Sequence, residues 1–288
     1  MRGIVLAGGT GTRLGPLTKS VSKQLLPVFD KPLVYYPIAT LMQAGIKEIL
    51  IITTLQDQDS FITLLGDGSQ FGVSIQYEVQ EKPGGLAEAF IVGKDFIKND
   101  GIVLILGDNL FSGIDDQDLD FGKIVNGARI FTYAVSNPEA YGVLSLDENG
   151  NIESIIEKPE KPKSNLAVTG LYYFDSSVVT RAQTLSPSSR GELEIVDLIK
   201  LYLAEKTLQV TNLPAGTVWL DTGTPEGLHD AASYVRVIEE RTAIKIGCLE
   251  EIAFFKGWID KNHLNSIVEK NGNNAYGKYL KRLLDRDL

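Results

Sequence analysis

Several residue types that commonly build functional sites are scarce in this sequence. Among its 288 residues there are one cysteine, Cys248, and two histidines, His229 and His263. A single cysteine excludes an intramolecular disulfide, and two histidines leave little material for a histidine-rich zinc site or a serine–histidine relay. We therefore expect Cys248 to be a small buried side chain in a reducing cytoplasm. Catalysis is expected to depend on carboxylates, cations and backbone amides.

The sequence also lacks an excess of positive charge and long hydrophobic runs. The 28 Lys and Arg residues are outnumbered by 37 Asp and Glu residues, which gives a formal net charge of -9. A protein that binds the phosphate backbone of nucleic acid normally carries a basic face. No apolar run approaches the ~20 residues that cross a bilayer, and glycines follow Met1 too soon for a signal peptide. These absences predict a cytoplasmic protein that binds neither nucleic acid nor a membrane.

What the first half of the sequence contains is an alternation of buried strands and helices. With 43% hydrophobic residues, the chain can bury a large core. Short apolar runs occupy 4–7, 48–53 and 102–106, and each ends at a glycine or a polar residue. A helical pattern at 34–44 lies between the first two runs. This order predicts a doubly wound, mainly parallel sheet.

The second half of the sequence has a different pattern. Hydrophobic runs at 129–135, 143–146 and 152–156 are typical of antiparallel strands. We therefore predict an α/β protein with three layers, α/β/α, around a mixed, mainly parallel, Rossmann-like sheet. Residues 1–241 are predicted to form a catalytic domain, and 242–288 a helical C-terminal element.

A glycine-rich loop directly follows the first predicted strand. Residues 6–14 read LAGGTGTRL, and the three glycines let backbone amides approach a phosphate or a base. A glycine turn that only ends the strand is the alternative. Two common motifs are excluded, because no Gly-Lys-Ser/Thr of a Walker loop follows and Leu14 stands where a dinucleotide-binding loop needs glycine.

Further motifs follow this loop in a fixed order. The loop itself contributes GGTGTRL at 8–14, and SKQLLP follows at 22–27, with Ser22 where proline is usual. The other motifs are QEKPGGLA at 80–87, LGDN at 106–109, YGV at 141–143, EKP at 157–159, TGLY at 169–172 and WLDTGT at 219–224. Together they resemble the sugar-1-phosphate nucleotidyltransferase family, most closely its thymidylyltransferase branch. The resemblance implies the nucleotide-diphospho-sugar transferase fold, with dTTP and glucose 1-phosphate as substrates and UTP as the nearest alternative nucleotide.

The resemblance assigns the transfer itself to two cations and two carboxylates. Arg13 would contact the β- and γ-phosphates, and Lys23 would lie nearer the phosphates that undergo transfer. Asp108 and Asp221 would hold Mg²⁺, which takes one or two carboxylates together with phosphate oxygens. The alternatives are solvated surface cations, and aspartates that cap a helix or a turn.

Nucleotide binding is implied for five further positions. Gly8, Gly11 and Thr12 belong to the glycine loop, and Gly85 would let backbone amides reach the base. Gln80 offers both a donor and an acceptor to a pyrimidine edge. A surface glutamine in a glycine turn is the alternative for Gln80.

Sugar-phosphate binding is implied for a third group of residues. Glu157 would accept sugar hydroxyls and Lys158 would bind the phosphate. For two neighbours to reach one ligand the strand must end or twist there, and Pro159 favours such a change. Trp219 is as well explained by packing as by a pocket wall. The group comprises Tyr141, Gly142, Glu157, Lys158, Gly170 and Trp219.

Assembly and regulation are implied by the resemblance alone. It implies a homotetramer and a separate regulatory site for an end-product such as the feedback inhibitor dTDP-rhamnose. The candidate segment for that site is 111–113, with residues near the tail. A non-catalytic nucleotide-sugar sensor is the alternative of another functional class.

Overall fold

The computed structural model describes residues 1–9, 11–124 and 126–285. Thr10 of the glycine loop and 286–288 of the predicted tail lie outside the described residues. The strands are β1 (Arg2–Leu6), β2 (Pro27–Val28), β3 (Lys31–Pro32), β4 (Glu48–Thr53), β5 (Ser74–Val79), β6 (Ile102–Leu106), β7 (Asn109–Ser112), β8 (Ala128–Ala134), β9 (Gly142–Leu146), β10 (Ile152–Glu157), β11 (Leu166–Phe174), β12 (Leu208–Asn212) and β13 (Val218–Asp221). The α-helices are α1 (Tyr35–Gln43), α2 (Gln58–Leu65), α3 (Glu88–Val92), α4 (Lys94–Ile97), α5 (Val178–Gln183), α6 (Ile195–Ala204), α7 (Pro225–Thr242), α8 (Leu249–Phe255), α9 (Lys261–Asn271) and α10 (Ala275–Leu284).

One large sheet runs through the described part of the chain. Its strands lie in the order β10-β9-β11-β6-β1-β4-β5, and β8 and β12 continue from the other edge of β11. The block β6-β1-β4-β5 is parallel, and Leu6, the last residue of β1, is in register with Ile52 and Leu106. The carboxyl ends of β1, β4 and β6 therefore lie at one edge, where doubly wound sheets bind ligands.

Strand β11 changes its partner half-way along. Residues 166–167 pair with β9, whereas 171–174 pair with β6. Opposite these partners, the register against β8 shifts between Val168 and Tyr172. Residues 169–170 thus lie where β9 and β6 separate, beside the carboxyl end of β6. The sheet has an opening at that point.

Two hydrophobic cores cover opposite faces of the sheet. Val5 packs into one core and its neighbours Ile4 and Leu6 into the other, as expected for alternating side chains on a strand. Helices α1, α2, α8, α9 and α10 contribute to the first core, and α3 to α6 to the second. Helix α7 packs against the β2–β3 hairpin in a smaller third core. The predicted three-layer fold around a mixed, mainly parallel sheet is confirmed.

The C-terminal segment is helical, and its described residues are part of the first core. Leu249 of α8, Leu264 of α9 and Leu280 of α10 are fully buried in it. Helix α8 also contacts α1, which follows the β2–β3 hairpin. The predicted boundary between 1–241 and 242–288 stays a prediction. In the described ranges, no helix has the length and hydrophobicity needed to span a bilayer.

Candidate active site

A cleft of about 380 Å³ lies at the carboxyl edge of the parallel strands, beside the opening next to β11. Gly11 and Thr12 are the two predicted site residues that do not line it. The predicted residues that do line it are Gly8, Arg13, Lys23, Gln80, Gly85, Asp108, Tyr141, Gly142, Glu157, Lys158, Gly170, Trp219 and Asp221. The fold thus brings together motifs that span more than two hundred residues of sequence.

The two predicted metal ligands are brought together by the pairing of β7 with β13. Asp221 is in register with Asn109, the residue after Asp108. Thr222, which follows Asp221, donates from its backbone nitrogen (3.1 Å) and its hydroxyl (2.8 Å) to the carbonyl oxygen of Asp108. Desolvation in the cleft and the negative charge of Asp108 raise the pKa of Asp221. The two carboxylates are therefore close enough to repel each other.

Lys23 compensates the charge of one of these carboxylates. Its Nζ forms an ion pair with Oδ2 of Asp108, and the side chains are only 11% and 12% exposed. Burial alone would raise the pKa of Asp108, but the charge of the Lys23 ammonium and the hydrogen bonds from Lys23, Asn109 and the backbone together hold that pKa below its usual value. Asp108 is thus kept ionised beside a cation that can also reach a phosphate.

The chemistry of this cluster fits a hard divalent cation that takes its remaining ligands from a substrate. Within residues 1–9, 11–124 and 126–285, no group of three or more His, Cys, Asp or Glu side chains could hold a metal alone. Magnesium is usually held by one or two carboxylates and by phosphate oxygens. A cation between Asp108 and Asp221 would relieve the repulsion that raises the pKa of Asp221.

The glycine loop leaves space for neighbouring side chains at the cleft, and Arg13 at its end reaches the turn after β13. A β-carbon at Gly8 would lie 2.9 Å from Oε1 of Gln80. Gly11 has φ 62°, and its carbonyl accepts from the Thr18 hydroxyl at 2.8 Å, so it shapes the loop from behind. A β-carbon at Gly223 would lie 2.6 Å from Nη2 of Arg13. The guanidinium therefore lies against the turn that follows β13.

The predicted base-recognition residues are tied to their own loop. Gln80 donates through Nε2 to the carbonyl of Gly85 at 3.3 Å and to Oε2 of Glu88 at 2.5 Å. Both amide hydrogens of Gln80 are therefore used within the protein, and its predicted role toward a base stays a prediction. Gly85 has φ 96°, and a β-carbon there would lie 2.4 Å from the Leu193 carbonyl oxygen. This close approach requires glycine.

The predicted sugar-phosphate pair lies at the end of a strand. Glu157 is the last residue of β10, and Lys158 has φ 43°, outside extended geometry. The Lys158 backbone nitrogen donates to the Tyr141 carbonyl at 3.0 Å. Both side chains line the same cleft. Of the two predicted alternatives at this pair, a strand end or a twist, the structure has the strand end. Burial raises the pKa of Glu157, with the charge of Glu194 adding to the rise and that of Lys158 opposing it.

Asn109 is a residue of the site whose role the sequence did not indicate. Its Oδ1 accepts from the Gly170 backbone nitrogen at 3.1 Å and from Nε1 of Trp219 at 2.6 Å. Its Nδ2 donates to Oδ1 of Asp108 at 3.0 Å. Asn109 therefore links the carboxylate cluster to the opening beside β11. Its place directly after Asp108 in the LGDN motif is the signal that could have found it.

Arg190 is a second residue that sequence reasoning missed. It lies in the loop before α6, with Nη2 at 2.8 Å from Glu194 and 3.8 Å from Glu157. It places a second cation beside Lys158 at the mouth of the cleft. An arginine before glycine in a polar loop looks like an ordinary turn, so the sequence carried no signal for it.

The comparisons with known proteins agree with this geometry. The family model described as nucleotidyl transferase matches residues 2–237. The chain belongs to the nucleotidyl transferase family. A curated relative from Neisseria meningitidis, named glucose-1-phosphate thymidylyltransferase, is 52% identical over 288 residues, covering 99% of this chain and all of the relative. One of the same name from Mycolicibacterium smegmatis is 51% identical, and the match covers both chains completely.

Solved structures place this nucleotidyltransferase in the same fold. A Bacillus anthracis structure described as a glucose-1-phosphate thymidylyltransferase is 42% identical with a TM-score of 0.76, covering 82% of this chain and 95% of that one. A UDP-glucose pyrophosphorylase in complex with UDP-glucose has a TM-score of 0.71 at 24% identity, covering 82% and 98%, which shows the fold alone. The predicted family and fold are therefore confirmed.

Family membership makes the chain an enzyme that transfers nucleotidyl groups. It also implies a divalent metal ion as cofactor, and a nucleotide and a sugar phosphate as substrates. The individual roles of the cleft residues stay predictions.

Proposed function

We propose that the enzyme joins dTTP to α-D-glucose 1-phosphate and releases dTDP-glucose and pyrophosphate, with Mg²⁺ as the metal. One observation carries the proposal. Two carboxylates, Asp108 and Asp221, line a single cleft together with four cations, Arg13, Lys23, Lys158 and Arg190. A reaction between two phosphates depends on cations, from side chains and from a metal ion, that neutralise negative charge and position the reacting groups.

The residues of the chain would position the reactants for in-line transfer. An oxygen of the sugar phosphate attacks the α-phosphorus of dTTP, and the bond from that phosphorus to the bridging oxygen of the leaving pyrophosphate breaks. Arg13, at the end of the glycine loop, is placed to bind the β- and γ-phosphates as negative charge develops on them. Lys23 would lie nearer the phosphates that undergo transfer. No covalent intermediate with the enzyme is required.

Asp108 and Asp221 would hold the metal ion, which when bound neutralises charge on the reacting phosphates and orients them. Lys23 would then have an additional task. Its ion pair with Asp108 preserves the ionised carboxylate, and a phosphate that enters with the metal supplies a second anion for the same ammonium.

The opposite half of the cleft would hold the sugar phosphate. Lys158 and Arg190 supply cations for its phosphate, and Glu157 supplies an acceptor for sugar hydroxyls. Asn109 already accepts hydrogen bonds from Gly170 and Trp219. These bonds fix the positions of Gly170 and Trp219, which form the cleft surface, here called the floor, against which the sugar ring would pack. The glycine at 170 keeps this floor open, because a β-carbon there would lie 2.4 Å from Oδ1 of Asn109.

Assembly, location and regulation are proposed on the resemblance alone. They comprise a cytoplasmic homotetramer and feedback inhibition by dTDP-rhamnose at a site near 111–113. Phe111 pairs with Trp219 in the β7–β13 ladder, which provides a physical connection from this segment to the cleft. Sedimentation of the purified protein, with and without the nucleotide sugar, tests the assembly.

The decisive experiment is pyrophosphate release measured over a grid of nucleoside triphosphates and hexose 1-phosphates with Mg²⁺. We expect the highest kcat/KM for dTTP with glucose 1-phosphate. A higher value with UTP would instead assign the chain to UDP-sugar synthesis. Absence of turnover in every combination would favour the nucleotide-sugar sensor.

A further inference from the structure

The amide of Gln80 has a fixed orientation at the nucleotide end of the cleft. The side chain is buried, with 7% exposure. Its nitrogen faces the Gly85 carbonyl oxygen at 3.3 Å and the Glu88 carboxylate at 2.5 Å. Neither the carbonyl nor an ionised carboxylate can donate a hydrogen bond. Chemistry therefore requires the amide nitrogen, and not the oxygen, to point toward these two groups.

The amide oxygen consequently faces the glycine loop. A β-carbon at Gly8 would lie 2.9 Å from Gln80 Oε1, so only a glycine leaves this oxygen accessible. Gly8 and Gln80 both line the cleft. Among the described residues, the hydrogen bonds of the Gln80 side chain all run through Nε2, and none runs to Oε1. The site therefore presents a pure hydrogen-bond acceptor to a ligand.

Glu88 supplies the stronger of the two contacts that maintain this orientation. It lies in the first turn of α3, and the described residues give it no ion pair and no hydrogen-bond partner other than Gln80. A hydrogen bond to a carboxylate is shorter and stronger than one to a carbonyl. Without Glu88, the contact to Gly85 at 3.3 Å would be the remaining restraint on the amide.

We propose that Glu88 is a positioning residue that sets base selection by holding Gln80 with its oxygen toward the nucleotide. This inference rests on the proposed function, because it requires a nucleotide base beside Gln80. An acceptor at that point favours a base with an N–H group on its pairing edge, as thymine and uracil have at N3. Cytosine has an unprotonated N3, and two acceptors facing each other are unfavourable. The oriented Gln80 oxygen therefore favours thymine and uracil over cytosine but does not distinguish thymine from uracil.

The test compares kcat/KM for dTTP and dCTP in the full-length enzyme with saturating glucose 1-phosphate. The variant Glu88→Leu removes the acceptor, so the amide can rotate and present its nitrogen to cytosine. We expect the dTTP to dCTP ratio to fall by about tenfold, the effect of losing one good discriminating contact. Glu88→Gln keeps an oxygen acceptor, so it should restore most of the ratio. Glu78→Leu, the same change at an exposed residue of β5, should leave the ratio unchanged.

Each outcome separates the positioning role from a general loss of structure. The KM for glucose 1-phosphate should stay constant in Glu88→Leu, and a thermal melt identifies any variant that fails to fold, in which case Glu88→Ala replaces it. An unchanged dTTP to dCTP ratio in a folded Glu88→Leu or Glu88→Ala variant overturns the proposal, as does an equal loss with both nucleotides. If the wild-type enzyme releases no pyrophosphate with any nucleotide, the proposed function fails instead.

Discussion

The part of the cleft that we assign to the nucleotide, here called the nucleotide half, and the part that we assign to the sugar phosphate, the sugar half, are built by different structural means. The nucleotide half uses the carboxyl ends of the parallel strands β1, β5 and β6, with glycines that bring backbone close to the ligand. The sugar half uses the end of the β9–β10 hairpin and the opening where β11 exchanges β9 for β6. One half therefore depends on the ends of parallel strands, and the other on the end of a hairpin and an irregularity within antiparallel strands.

The charges in the two halves also differ in their environment. Lys23 and Asp108 are almost completely buried, whereas the side chains of Lys158 and Glu157 are 51% and 31% exposed and their closest charged atoms are 3.8 Å apart. Buried charges that lose a partner cost far more free energy than partly solvated ones. We therefore expect substitutions in the carboxylate cluster to have the largest effects, and those at the sugar end to act mainly on affinity and selectivity.

The halves are joined at Leu193. Its backbone nitrogen donates to the Gly84 carbonyl at 2.7 Å, and its carbonyl accepts from the Ala87 nitrogen at 3.1 Å. Gly84 and Ala87 lie on either side of Gly85, while Leu193 lies in the same loop before α6 as Arg190. Hydrogen bonds of the main chain thus fix the distance between the two binding regions.

The largest expected effect is the loss of a carboxylate from the metal cluster. Asp221→Asn and Asp108→Asn should each reduce turnover by more than tenfold, because a charge that would bind the metal is lost while the shape is kept. Pyrophosphate release and circular dichroism should therefore diverge, with activity lost and the spectrum unchanged. Asp108→Asn should also release Lys23, so its effect should be the larger of the two. Full activity in either variant would remove that aspartate from the metal site.

The second effect concerns Arg13, which we assign to the departing pyrophosphate. Arg13→Ala should reduce kcat strongly and leave the affinity for glucose 1-phosphate nearly unchanged, because the guanidinium lies at the nucleotide end. Isothermal titration with glucose 1-phosphate, beside steady-state kinetics, separates the two quantities. A variant that is defective only in sugar-phosphate affinity would place Arg13 in the other half of the cleft.

The residues in these two predictions could be identified from the sequence alone, for a physical reason. Asp108 follows a strongly apolar strand, and Arg13 follows a glycine run, so each lies where a local pattern ends. By contrast, Arg190 and Glu88 gain their roles from contacts that only the folded chain creates, with Glu157 and Glu194 in one case and Gln80 in the other. No spacing rule connects such positions.

Local sequence patterns also predicted site residues that do not line the cleft. Gly11 belongs to the glycine loop, but its left-handed conformation turns its carbonyl toward Thr18 instead of the cleft.

The apolar residues of α8 and α10 predicted helices, but they did not predict that these helices are buried in the core shared with α1. A hydrophobic stripe shows that a helix packs on something, and the partner depends on the tertiary fold.

The third prediction tests the division of tasks at the strand end. Glu157→Gln should relax discrimination among hexose 1-phosphates, since a neutral amide accepts hydroxyls less strongly than a carboxylate. Lys158→Ala should weaken binding of all of them alike, by about 1–3 kcal/mol for a lost charge-assisted contact. The measurement is a panel of KM values for glucose, galactose and mannose 1-phosphates.

The matched controls are Glu160→Gln and Lys161→Ala, because both residues are exposed neighbours in the same segment and neither lines the cleft. They should leave all KM values unchanged. A sugar-selective loss in Lys158→Ala, or an equal loss across the panel in Glu157→Gln, would show that the two roles are reversed.

The smallest expected effect is a pH dependence at the sugar end. Burial raises the pKa of Glu157, Glu194 and Glu192 raise it further, and Lys158 and Arg190 oppose the rise. As pH falls, Glu157 should therefore take up a proton at a higher pH than an ordinary glutamate does. The protonated group accepts sugar hydroxyls less strongly, so the KM for glucose 1-phosphate should rise as pH falls through the raised pKa.

The phosphate of the substrate can also change its ionisation as pH falls, and the comparison with Glu157→Gln removes its contribution. Both enzymes meet the same ionisation of the substrate, but the amide at position 157 does not titrate. The ratio of the variant KM to the wild-type KM should accordingly be largest above the raised pKa of Glu157 and approach one below it. A ratio that stays constant with pH would mean that Glu157 does not contact the sugar as a carboxylate. The sugar half would then depend on Lys158 and Arg190 for its charged contacts.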